Sequence, residues 1–176
     1  MAKLIVLTGP PGAGKSSTSS KFLETIDGVW GHISQDNMRD LIKAGFVSAN
    51  GHRSEWSYEI KRQWEVGILI SCDIAKRYLE AGINCILEIS ANPEDFAVWK
   101  DQLGNFEYEL IVLLPTEETV LQRNNERTGT AKLMDSKISE EFKTFVAWSN
   151  NPGTKIIHNS NLSVETTTQK IQKLLK

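Results

Sequence analysis

The chain has 176 residues and a formal net charge of -2, a length that suits one domain. Such a chain buries about two-thirds of its unfolded surface, so no disulfide or metal staple is required. The lack of a basic excess argues against gripping a long nucleic acid by its phosphates, although a short strand end held by a local cluster stays open.

Met1-Ala2-Lys3 and a short apolar run could be mistaken for a signal peptide. The run ends at Thr8-Gly9 with no cleavage-type segment, so Leu4 to Leu7 reads as a strand buried on both faces, as in a parallel sheet. Residues 15–26 read as helix and Val29 to Ile33 as a second strand. Asp36 to Ala44 reads as a short helix stopped near Gly45, and residues 46–53 as a loop. From Ser54 to Ala81, apolar residues recur at three- and four-residue steps, with Ser54 the expected cap and Gly82 the stop. Ile83 to Ile89 is a third strand, and Asn92-Pro93-Glu94-Asp95 a helix start. Phe106 to Leu114 is a fourth strand, followed by a helix from Thr116 to about Arg127, a mobile loop over 128–135 and a helix to about Trp148. Lys155 to Ile157 is a short last strand and Ser163 to Leu175 a last helix. Strands alternate with helices, which implies a three-layer α/β sandwich around a five-stranded, mostly parallel sheet in a single domain spanning 1–176. No apolar run approaches the ~18 residues of a membrane span. Cys72 and Cys85 match no zinc or redox spacing and read as reduced core thiols, so the expected location is the cytoplasm.

Gly9-Pro10-Pro11-Gly12-Ala13-Gly14-Lys15-Ser16 fits the phosphate-loop pattern, placed between a buried strand and a helix. Gly9, Gly12, Ala13 and Gly14 allow backbone N–H groups to approach phosphates, and the following helix start adds partial positive charge. Lys15 would reach the β- and γ-phosphates and Ser16 would ligate Mg²⁺. Ser17 caps the same helix and reaches the α-phosphate. ATP and Mg²⁺ are therefore the expected cofactors; transfer chemistry needs further residues.

A kinase needs a carboxylate that takes or orients the acceptor's proton, placed at the carboxyl end of a neighbouring strand. Asp36 falls there, with Arg39 one turn on, where its planar fork suits an acceptor phosphate or carboxylate. The plainer alternative is a helix cap and a solvated arginine. Arg123 and Arg127 end a helix before a Thr-Gly-Thr-Ala segment and Lys132, as in a lid over about 123–137 that brings positive charge and shuts out water. Arg127 is the candidate for the phosphates and Arg123 for stacking over adenine; the alternative is ordinary charge placement at a helix end. Glu88 ends the third strand, where it would hold a magnesium water, contact the acceptor, or simply end the strand. His52, Arg53, Trp56 and Trp64 read chiefly as core and surface residues, with an acceptor wall as the alternative.

This ordered set resembles the small P-loop kinases of the polynucleotide kinase, zeta-toxin and chloramphenicol phosphotransferase kind, with an AAA-type ATP-binding domain. The resemblance covers nearly the whole chain in element order and is sharp at the P-loop. It implies strand order 2-3-1-4-5, phosphate binding by Gly14, Lys15 and Ser16, a base at Asp36, acceptor binding at Arg39, and lid roles for Arg123 and Arg127. It also implies that the His158-Asn159-Ser160-Asn161 loop lies beside adenine. The expected activity is transfer of the γ-phosphoryl of ATP to a hydroxyl of a small-molecule or nucleotide-like acceptor, with no extended nucleic acid and no membrane as partner. A polynucleotide 5′-hydroxyl kinase and a non-catalytic ATP-binding regulatory module are the alternatives.

Overall fold

Alternation along a buried strand decides the layers. In β1 (Leu4–Thr8), Leu4 and Val6 point to one face of the sheet and Ile5 and Leu7 to the other, all within 2% exposure. A strand apolar on both faces needs helices on both. The computed structural model, which describes residues 2–90, 92–128, 132–149 and 151–175, supplies them. On one face, α3 (Tyr58–Glu80) and α4 (Phe96–Leu103) bury Ile68, Cys72, Leu79, Trp99 and Leu103 against Leu4, Val6 and Leu87. On the other, α1 (Lys15–Thr25) and α7 (Val164–Leu174) bring Phe22 and Ile171 onto Ile5, Leu7, Ile86 and Ile111.

The remaining strands are β2 (Trp30–Ser34), β3 (Asn84–Glu88), β4 (Glu109–Leu113) and β5 (Lys155–Ile157). They pair in the order β2-β3-β1-β4-β5, and every pairing is parallel. Register matters for the site: Leu7 lies beside Glu88 and Glu88 beside Ser34. The carboxyl ends of β1, β2 and β3 therefore open onto one edge, where the chain also reverses direction across the sheet. Ligands of open α/β sheets bind in such a crevice.

Several boundaries depart from the sequence reading; β4, for one, starts at Glu109 and not at Phe106. The long helix is capped by Ser57, whose hydroxyl accepts from the Ile60 N–H at 3.3 Å, and not by Ser54. Residues Arg53–Glu55 form a 3₁₀ turn and Trp56 is extended, which lets the Trp56 ring turn inward. The helix after β2, α2 (Gln35–Arg39), stops well before Ala44. Beyond Arg39 the backbone bonds tighten to three-residue spacing, and Leu41 is 63% exposed, so no apolar stripe holds a longer helix down. The Asn92 start is a 3₁₀ turn, Pro93–Asp95, with Asn92 accepting from the Glu94 N–H at 2.9 Å.

Burial pushes the Cys72 and Cys85 thiols up to about 12, which keeps both protonated and inert. Among the described residues, no helix is long and apolar enough to cross a membrane.

Candidate active site

The loop between β1 and α1 carries the donor half. Gly14 occupies the N-cap of α1 at φ 91°, a left-handed conformation that favours glycine, and no side chain caps the helix. Ser17 is thus not the cap expected from sequence; it lies within the helix and lines the cleft. A helix start free of side-chain caps keeps its N–H groups and dipole for an anionic ligand. Lys15 folds along the loop and donates from Nζ to the Gly9 carbonyl at 2.9 Å and to Pro10 at 3.4 Å. Burial depresses its pKa; Glu88 and Asp36 oppose that shift, and Arg127 adds to it.

Glu88 emerges from β3 beside this loop. The Ser16 hydroxyl donates to its Oε1 at 2.5 Å, and His32 Nε2 on β2 lies 3.2 Å from its Oε2. Burial alone would raise this carboxyl. The His32 and Ser16 hydrogen bonds and the Lys15 charge outweigh it and hold the group below the ordinary glutamate range. A hydroxyl and an ionised carboxylate oxygen side by side suit Mg²⁺, which keeps few protein ligands and completes its shell with water and phosphate oxygens. Among the described residues, no cluster of three or more His, Cys, Asp and Glu builds a self-sufficient metal cage.

Asp36 stands across from the loop in the first turn of α2. Its Oδ2 accepts from the Ser90 hydroxyl at 3.1 Å, and Gln35 Oε1 accepts from the Ser90 N–H at 3.1 Å. Both contacts tie α2 to the chain leaving β3. Arg39, one turn on, is buried against α3. It fits because residue 67 is glycine: a β-carbon there would come within 2.6 Å of Arg39 Cγ. The Arg39 guanidinium donates to the Val47 carbonyl at 3.2 Å and lies 5.0 Å from the Trp64 ring and 5.2 Å from Phe46.

The two expected lid arginines part company. Arg127 lines the same cleft as Lys15, Ser16, Asp36, Arg39 and Glu88. Arg123, on α5 (Glu117–Asn125), instead donates to the carbonyls of Gly12 at 3.2 Å, Ala13 at 3.3 Å and Asn159 at 3.2 Å. Asn159 Nδ2 donates to the Ala13 carbonyl at 2.9 Å. Arg123 and Asn159 therefore brace the phosphate loop from outside the cleft. Part of the expected lid, residues 129–131, lies outside the described residues. Its flanks are joined by Asn124, which exchanges two hydrogen bonds with the Leu133 backbone at 2.8 and 3.0 Å.

The cleft has a volume of about 630 Å³. Its far wall contains residues that sequence reasoning did not single out: Phe46, Ser48 and Asn50 of the loop after α2, and Lys137 and Glu141 of α6 (Asp135–Trp148). Trp56, itself buried, and Trp64 line it too. His52 bonds Glu140 and Ser136, and Lys137 bonds the Ala49 carbonyl, so α6 is clasped to the loop. One signal was legible: Lys137 and Glu141 are four residues apart on one helix face.

The protein-family profile described as AAA domain matches residues 4–151. No curated protein matches the sequence as a relative. Among solved structures, a sugar kinase from Janibacter sp. HTCC2649 aligns with TM-score 0.70 and 14% identity over 99% of this chain and 95% of that one. A tunicamycin resistance protein from Deinococcus radiodurans aligns with TM-score 0.69 and 18% identity over 99% and 96%. A chain of the Pnkp1/Rnl/Hen1 RNA repair complex aligns with TM-score 0.61 and 20% identity, over 83% of this chain and 44% of that one. At these identities the likeness is one of fold.

Proposed function

The chain belongs to the AAA-domain family, and from that premise we propose that it is an ATP-dependent kinase, acting as one domain, that transfers the γ-phosphoryl of ATP to a hydroxyl of a small-molecule or nucleotide-like acceptor. One observation carries this: Asp36, a carboxylate in the first turn of the helix after β2, shares a cleft with the phosphate-loop lysine. The sugar kinase and the tunicamycin resistance protein with which the fold aligns lend weight to this reading.

The loop backbone and Lys15 hold the β- and γ-phosphates, and Ser16 with Glu88 would hold Mg²⁺, which supplies neutralising charge to the phosphate oxygens when bound. Asp36, oriented by Ser90, accepts the acceptor's proton as the acceptor oxygen–phosphorus bond forms and the bond to the ADP oxygen breaks; the proton then leaves to solvent. Arg39 binds the acceptor. Arg127 balances charge on the moving group, and the flanking lid excludes water. Two unpaired, buried thiols are consistent with a reducing, cytoplasmic setting.

The test is transfer from γ-labelled ATP with Mg²⁺ to a panel of sugars, nucleosides, sugar nucleotides, antibiotics and 5′-hydroxyl oligonucleotides. Label should move to one class, and Asp36→Asn should slow it by roughly 10²–10⁴-fold while binding a non-hydrolysable ATP analogue normally. Tight ATP binding with no transfer to any acceptor, and no difference in the variant, would move the protein to the regulatory class.

A further inference from the structure

We propose that the acceptor carries, away from its reacting hydroxyl, one oxyanion (a phosphate or a carboxylate) seated between Arg39 of α2 and Lys137 of α6. The inference rests on the kinase reading and names the substrate class of that same cleft.

Three cations surround the aromatic wall of the cleft, and they are not treated alike. Arg53 lies 4.6 Å from the Trp56 ring and is neutralised, with Asp95 at 2.7 Å and Glu94 at 3.5 Å. Arg39 and Lys137 are more deeply buried, at 6% and 5% exposure. Among the described residues, neither has a carboxylate oxygen within 4.0 Å. Arg39 rests between Phe46 and Trp64, and Lys137 Nζ lies 5.4 Å from Trp56. Aromatic faces hold a cation in place without cancelling its charge.

Their hydrogen bonding is also incomplete. A guanidinium has five N–H donors and an ammonium three. Among the described residues, Arg39 makes one hydrogen bond, to the Val47 carbonyl, with its Nε–H buried and unpartnered, and Lys137 makes one, to the Ala49 carbonyl. A buried donor left without an acceptor is costly, and a buried charge more so. Lys137 also sits in the first turn of α6, where the helix dipole disfavours a cation and favours an anion.

The two charges are near enough to couple. Burial is the main cause that lowers the Lys137 pKa, and the Arg39 charge contributes to it. The acids in range are Glu141, whose pKa burial raises, Glu140 beside it, Asp36 on α2 and Asp40 just past its end. Asp36 is committed to the hydroxyl. Arg39 and Lys137 line the same cleft as Lys15, from α2 and α6, and both sit against its aromatic wall. Two like charges, buried, under-bonded and lining one cleft are what a bound oxyanion would complete.

The test fills the donor half first. Protein saturated with Mg²⁺ and a non-hydrolysable ATP analogue is titrated with inorganic phosphate and, separately, acetate, by calorimetry and by the fluorescence of the tryptophan wall. We expect one saturable site for at least one of the two ions. Its Kd should rise about tenfold or more in Lys137→Gln and in Arg39→Gln, with analogue affinity unchanged. Preference for phosphate assigns phospho-alcohol acceptors, and preference for acetate assigns hydroxy-acids. No saturable binding of either ion to loaded wild type, or binding equal in wild type and both variants, overturns the proposal while the kinase reading stands. Failure of the ATP analogue to bind overturns that reading and this one with it.

Discussion

The two halves of the cleft are built on different plans. The donor half is one short stretch of chain, residues 9–17, whose chemistry is mostly backbone N–H groups, a helix end and one lysine. Glu88 of β3 bonds Ser16 and belongs with it; the half we assign to the acceptor is gathered from the α2 region, the 46–50 loop, Trp56 and Trp64, Ser90, and α6. Its chemistry is side chains only, held by aromatic faces and carbonyls. A backbone cradle depends little on which side chains surround it; a side-chain wall changes with each substitution.

The sharpest way to break that contrast is at Lys15. Lys15→Ala should lower transfer by about 10²–10³-fold whatever acceptor is used, since it removes charge aimed at the moving group. Radiometric rates with two chemically different acceptors would check this. An effect that depended on the acceptor would show that the halves are not independent.

A smaller and more selective effect is expected at Gly67. Gly67→Ala places a β-carbon against Arg39 Cγ and must displace that side chain. The overpacking costs about 1–3 kcal/mol, offset in part by the helix preference of alanine. Acceptor KM should rise while KM for ATP stays within about twofold. Steady-state kinetics in both substrates separates the two, and an equal rise in both would place Gly67 in general packing.

The smallest effects are in the pH dependence of stability, where the halves should have opposite signs. Glu88 titrates below its ordinary range when folded, so the unfolded chain binds the extra proton. Its contribution is present above the ordinary glutamate range and is lost as pH falls through the folded value. Burial raises Glu141, so the folded chain holds the extra proton there. That contribution is full below the ordinary range and is lost as pH rises through the folded value. Denaturant melts against pH should show Glu88→Gln flattening the acid limb and Glu141→Gln the opposite limb. Curves for both variants parallel to wild type would contradict the assignment.

The same division explains what could be read in advance. The phosphate loop was plain, because a turn that must wrap phosphates constrains neighbours in sequence and leaves glycine, lysine and serine at fixed spacing. Asp36 and Arg39 were found by their distance from that loop, an argument that a strand length and a turn can carry. Lys137 and Glu141 were missed, since a lysine and a glutamate four apart on a helix look like a solvated ion pair until α6 is packed on the 46–50 loop. Arg123 and Arg127 looked equivalent in sequence. Only packing against Gly12, Ala13 and Asn159 made one a brace and left the other facing the cleft.

By itself, then, the amino-acid order determined the alternation of strands and helices, the aliphatic strand cores and the donor loop. Each of these follows from periodicity, turn chemistry and backbone conformation within a few neighbouring residues. The tertiary structure alone decided where α2 ends, which serine caps α3, which arginine meets the cleft, and that two distant cations share an aromatic wall. Burial and Coulomb interaction act through space, and a contact such as that of Lys137 with Ala49, 88 residues apart in the chain, leaves no spacing in the sequence to read.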